Sequence, residues 1–395
     1  MLLPVMKPAR DRLRRPRDVG LTALLAAALA ACSSTGPART PPAQPPPVAE
    51  RAPARVPKTV RLGVVVPAGG EAYLQQYADA VVEGIRVAAE ERSAGGDYRV
   101  ELLVRPVSTP AEAAAAVREV AALGVLGIIG PLLEANVAAA AAARADTSVV
   151  IVSPTATDPF RLPNVYALNV PDTLGAGALA AYSVSAGLAP VAVLRPRSGP
   201  AQAQARAFAA AVSQRSGRAP VDVPFESGTT NYATALRRVR EARVRSVFVA
   251  AEESDLRQLL PQIDFYGVGG AQVLATGTWA TPDGLERIGL RPLEGVITTL
   301  PFLPTDSAGT WRHFVREYEA LHRRSLDNAI PALGYDAASL LLHDPAAVAS
   351  QVASRLRAGT EVTGATGHLV PLRGSVGRRP VVVRIASGRA VRVVD

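Results

Sequence analysis

Short apolar runs recur through this chain about one helix apart. That spacing restricts the fold more than any other feature. VRLGVVVP (60–67), VLGIIG (125–130) and SVVIVS (148–153) lack polar alternation, as expected for strands covered on both faces. Helical segments at 71–93, 110–123 and 134–145 separate them, with a further strand near 98–105. The order is βαβαβαβ, which a parallel sheet wrapped by helices satisfies.

The alternation restarts after residue 171. Helices are expected at 172–187, 200–215, 231–242 and 254–266. Strands are expected at 190–195, 219–224, 246–251, 272–276 and 295–302. Two or three helices fill 307–358, and the last residues, 366–394, alternate in short β runs. The reading is α/β, with two doubly wound Rossmann-like lobes followed by segments that return across their junction. With 395 residues, 48% of them hydrophobic, the chain has ample material for two cores.

The net charge of +9 suggests a nucleic-acid binder, but its distribution does not. Seven of those charges lie in residues 1–58, leaving +2 for the folded part. No basic field for nucleic acid is implied. Residues 33–58 are rich in Pro, Ala and Ser and cannot bury enough apolar surface to fold. They read as a semi-rigid tether of ~3 Å per residue.

Before the tether comes a basic stretch with Lys7, Arg10, Arg12, Arg14, Arg15 and Arg17. An apolar run, Leu21 to Ala31, follows and is too short to span a bilayer. It ends in Leu29-Ala30-Ala31-Cys32, which resembles the lipobox of bacterial lipoproteins. The resemblance implies a signal peptide over 1–31 and lipidation of Cys32. Ser33 after the cysteine implies the outer membrane, with the body facing the periplasm. Cys32 is the only cysteine, so no disulfide, zinc site or thiol nucleophile is expected.

Several blocks resemble the type I periplasmic binding proteins, in particular the leucine/isoleucine/valine-binding protein family. They are VRLGVVVP with its Gly-containing loop, IIGPLLEANVAAAA, VVIVSPTATDPFRLPNVYALNVPDTLGAGALA, FESGTTNYATALRRVREARVRSVFVA, LGYDAASLLL and RRPVVVRIASG. The resemblance spans about 59–395. It implies two lobes joined by three crossovers that close over a ligand. By that analogy one lobe takes 59–171 plus 302–372, and the other takes 172–301 plus 373–395. A small amino-acid-like ligand and an ABC permease would be the partners.

Candidate binding residues follow the strand ends, where open α/β sheets hold ligands. Ser153, Thr155 and Thr157 offer hydroxyls, and a following helical turn would add backbone N–H groups. In the family the matching segment holds an amino acid's carboxylate and ammonium, which points to Thr155, Ala156 and Thr157. Asp158-Pro159 reads equally as a helix cap. Glu134 stands where amino-acid binders of the family carry a serine. A carboxylate there would repel a ligand carboxylate, unless it turns outward and serves the helix N-terminus. Arg197 and Ser198, Glu252 and Glu253, Trp279 and Tyr73 follow other strand ends. Each has an alternative as loop, helix start or packing.

Catalytic motifs are missing: there is no HExxH, GxSxG, P-loop or GxGxxG. No cofactor or metal is expected, and the protein is not expected to be an enzyme. His313 and His322, nine apart on one helix, should occupy opposite faces.

A second reading stays open. GPLLEANV and VLRPRS are similar to segments of the lipoproteins that activate penicillin-binding proteins, which use the same fold. There the surface would contact a murein synthase, and the cleft would not need a ligand.

Overall fold

The computed structural model describes residues 56–144, 146–276, 287–301 and 309–393. The expected signal peptide, Cys32, the expected tether up to 55 and Trp279 lie outside the described residues.

Two sheets organise the chain. The first contains β1 (Lys58–Pro67), β2 (Tyr98–Val107), β3 (Gly127–Ile129), β4 (Ile151–Ser153) and β5 (Val165–Ala167). β6 (Val191–Pro196), β7 (Val221–Phe225), β8 (Ser246–Val249), β9 (Gln272–Ala275) and β10 (Ile297–Leu300) belong to the second. The C-terminal strands are β11 (Val362–Gly364), β12 (Gly367–Leu372), β13 (Ser375–Arg378), β14 (Val381–Ala386) and β15 (Arg389–Arg392). The first sheet runs β11-β12-β13-β5-β4-β3-β1-β2 and the second β15-β14-β10-β9-β8-β6-β7. Strands β1 to β5 pair in parallel, as do β6 to β10, and each sheet ends in antiparallel C-terminal strands.

Helices α1 (Ala72–Ser93), α2 (Pro110–Ala122) and α3 (Glu134–Ala143) cover the first sheet. α4 (Thr173–Ser185), α5 (Ala201–Ser216), α6 (Ala233–Glu241) and α7 (Glu253–Phe265) cover the second. Each sheet therefore has a core on both faces. Leu62, Val64 and Ile129 pack on one side of the first, and Val65, Ile128 and Ile151 on the other. The second sheet divides likewise between Leu194 with Val249 and Val193 with Phe248. This two-sided burial is why the strands are apolar without alternation.

Three departures from the sequence reading concern pairing. β5 is a three-residue strand that no apolar run announces. Ser375–Arg378, expected with the second lobe, pairs with β12 and β5 in the first sheet, so the last crossing falls at 379–380. His313 and His322 do not point apart. His313 Nε2 lies 2.9 Å from Glu91 Oε1, and His322 Nε2 lies 3.2 Å from the Glu83 carbonyl, both on α1. The helix Thr310–His322 packs lengthwise on α1, so side chains from either flank of the contact line reach it.

The helix Ile330–Leu341 packs on α1 almost backbone to backbone. A Cβ at Gly84 would stand 1.7 Å from the Pro331 carbonyl oxygen, and one at Gly334 would stand 2.0 Å from that of Val81. Only glycine at both positions permits this approach.

Candidate functional site

Parallel strands deliver their C-terminal ends to one edge of each sheet, and the loops there carry most candidate residues. In the first sheet β3 leads into Gly130-Pro131-Leu132-Leu133 and then α3, while β4 leads into Pro154-Thr155-Ala156-Thr157.

The two loops are joined by hydroxyls. Ser153 is fully buried and donates to the Pro131 carbonyl at 3.0 Å. Thr155 donates to the Leu132 carbonyl, and its oxygen lies 3.5 Å from that of Ser153. Ala156 is 7% exposed, and its carbonyl accepts from Asn169 N–H at 3.1 Å. Thr157 is exposed. No helical turn follows this segment, so Asp158 caps nothing and the expected extra N–H groups are not supplied there. The proline-rich stretch to Pro163 instead loops back to the sheet, where Phe160 N–H donates to the Gly374 carbonyl at 2.9 Å.

Glu134 is the first residue of α3 and is exposed. Its charge suits the helix N-terminus. Leu133 beside it and Tyr73 near the start of α1 are also exposed, at 39% and 61%.

The second sheet presents Ser198 after β6 and Glu252 after β8, two neighbouring strands. Both residues are exposed. Their neighbours are committed to ion pairs: Arg197 with Glu226 at 2.5 Å, and Glu253 with Arg287 at 2.6 Å. The Arg287 hydrogen bond holds the Glu253 carboxyl below its usual range, outweighing desolvation. Among the described residues no hydrogen bond joins Ser198 or Glu252 to the first-sheet group.

A third cluster, none of whose residues is among the sequence candidates, lies where the chain crosses between sheets. Asp172, N-cap of α4, accepts from Gly175 N–H at 2.7 Å and from Thr299 Oγ1 of β10 at 3.0 Å. Arg378, the last residue of β13, donates to the Leu168 carbonyl at 3.0 Å and sits 3.4 Å from the fully buried Asp336. Thr366 donates to Asp336 through both its hydroxyl and its N–H. Burial raises the pKa of Asp172 and of Asp336, opposed by Arg378 in both cases. The available signal was local: Pro171-Asp172-Thr173 before a helical run is an N-terminal cap pattern. Nothing local pointed to Thr299.

Among the described residues no group of three His, Cys, Asp or Glu could hold a metal ion. No helix among them is long and apolar enough to cross a membrane.

The family model for periplasmic binding proteins matches residues 59–373. The chain belongs to the periplasmic binding protein family. Its solved relatives share the two-lobed type I fold. A protein from Rhodospirillum rubrum assigned to a branched-chain amino acid ABC transporter superposes with a TM-score of 0.74 at 20% identity, covering 85% of this chain and 100% of that one. The substrate-binding protein LivJ from Streptococcus pneumoniae, in complex with isoleucine, gives 0.54 at 18% identity over 85% and 100%. A solute-binding protein from R. palustris in complex with 4-hydroxybenzoate gives 0.54 at 18% identity over 85% and 96%. No curated protein sequence matches the chain. The family is one of solute binders, and periplasmic binding proteins work in the cell envelope.

Proposed function

We propose that this periplasmic binding protein is a lipid-anchored receptor that closes on a small amino-acid-like ligand and presents it to an ABC permease. One observation carries the reading. Thr157 and Glu134 on the first sheet, and Ser198 and Glu252 on the second, are exposed side chains at the C-terminal strand edges. Polar groups on two separate lobes are what a closing receptor needs. Each lobe then binds part of the ligand, and the ligand favours the closed population.

The character of these groups points to a ligand bearing an ammonium group. Glu134 and Glu252 supply carboxylates, whereas the nearby Arg197 and Arg287 are occupied. The lipid on Cys32 and the Pro-rich tether would keep the body in the periplasm, free to reach its permease across the length of the tether. Calorimetry of the full chain against amino acids, amines and carboxylates tests the reading. Saturable binding of an ammonium compound, weakened by Glu134→Gln, is expected. No heat with any of them would overturn it. A ligand at 100 times its Kd adds ~2.7 kcal/mol, so thermal shift gives a second readout.

One observation favours the other reading, an activator of a cell-wall synthase. The Ser153 and Thr155 hydroxyls are spent on the Pro131 and Leu132 carbonyls. Failure of every small ligand, with recovery of a penicillin-binding protein in a pull-down, would support that role.

A further inference from the structure

The parallel order of the second sheet fixes where its helices end. α5, α6 and α7 each lead into a strand parallel to β6, so all three finish at the edge where those strands begin. The edge is continuous. Arg245 N–H donates to the Pro190 carbonyl at 2.8 Å, and Gln272 N–H donates to the Arg245 carbonyl at 2.9 Å. The Arg245 guanidinium reaches the Gly187 carbonyl, just past α4, at 3.1 Å. This end of the sheet lies opposite the edge that carries Ser198 and Glu252.

It is strongly basic. Residues 213–221, 237–246 and 262–272, which cover the three helix ends, hold seven arginines against two acids. The matching ends in the first sheet, residues 89–98, 117–126 and 141–150, hold three arginines against five acids. The helix macrodipole favours cations at any helix C-terminus and would enrich both lobes alike. It does not account for the difference. Arg215, Arg218, Arg240 and Arg243 are exposed, with no ion-pair partner among the described residues. Beside them Phe265 is 81% exposed. A Cβ at Gly267 would stand 3.3 Å from Arg240 Cδ, which places the Arg240 stem against the loop that follows Phe265.

We infer that this end of the second lobe is a docking face for an anionic phospholipid surface. The arginine forks match lipid phosphates. The row of helix ends offers a broad face, and an exposed aromatic among basic residues suits the headgroup boundary. A soluble polyanion would use the arginines but leave Phe265 in water.

Co-sedimentation of the full chain with vesicles of phosphatidylglycerol and phosphatidylcholine tests this, against phosphatidylcholine alone. Residues 1–58 carry charge in every variant, so the readout is the difference between variants. Arg240→Glu with Arg243→Glu is expected to cut partitioning roughly 25-fold or more, from about fivefold per charge. Arg240→Lys with Arg243→Lys is expected to keep most of it. Phe265→Ser is expected to cut it several-fold while leaving retention on immobilised heparin unchanged. Equal partitioning of the wild-type and glutamate chains would overturn the inference, as would loss in the lysine pair. A Phe265→Ser chain that partitions like wild type while the glutamate pair leaves heparin would assign the face to a soluble polyanion instead, and likewise overturn it.

Discussion

Thr299 of β10 donates a hydrogen bond of 3.0 Å to Asp172 at the start of α4, across 127 positions of sequence. The contact ties the chain's first passage out of the first sheet to the strand that precedes its second. Asp172 also caps α4, so one carboxyl serves two roles.

Asp172 should therefore show an inverted pH dependence. Burial raises its folded pKa. A raised carboxyl pKa adds stability below the unfolded value, near 3.8, and that stability is lost as pH rises through the folded pKa. Asp172→Asn keeps the cap acceptor without the charge. Its melting temperature relative to wild type is expected to climb between pH 4 and pH 7. A constant difference would contradict this.

Glu83 should behave in the opposite sense. Burial opposes its ionisation, but hydrogen bonds from Tyr318 and Arg324 outweigh that and lower its pKa. Its contribution is present above the usual carboxylate pKa, 4.5, and is lost as pH falls through the lowered value. Wild type is expected to melt above Glu83→Gln at pH 7, with the gap closing in acid. Thermal denaturation across pH reads both cases.

Gly334→Ala places a methyl group into the backbone of α1. Overpacking of side chains costs about 1–3 kcal/mol, and a backbone that cannot rotate away lies at or beyond the top of that range. Chemical denaturation is expected to show a loss of at least about 3 kcal/mol, and Gly84→Ala a similar one. Alanine at half-buried Gly177, inside α4, where a Cβ meets nothing within 4 Å, is the control and is expected to lose no stability and to gain up to about 1 kcal/mol of helix propensity.

Thr155 and Thr157 should separate structure from binding. Thr155→Val orphans the Leu132 carbonyl and is expected to cost about 1–3 kcal/mol of stability. Thr157→Val breaks no hydrogen bond given by the structure and is expected to leave the melting temperature unchanged while weakening ligand binding. Equal effects of both on stability would remove the distinction.

The legible parts of this fold were those whose signal is local. VLGIIG and SVVIVS announce buried strands because both their faces are covered. β5, with only Val165-Tyr166-Ala167, is too short to show a period. Ser375–Arg378 was placed in the wrong lobe because which sheet a strand joins is not a property of its own residues. The same holds at the site. Ser153 and Thr155 were visible as hydroxyls, but their carbonyl partners lie more than twenty residues away. His313 and His322 misled because a rotation angle about one helix ignores the long partner lying beside it.

The two sheets share a dependence on one stretch of chain, residues 362–392. β11 to β13 complete the first sheet and β14 with β15 complete the second, so neither is whole until residues 362–392 have been made. Lobes that look separate in space are thus coupled in time: a nascent chain stopped before residue 362 would leave an unpaired edge on β5 and another on β10.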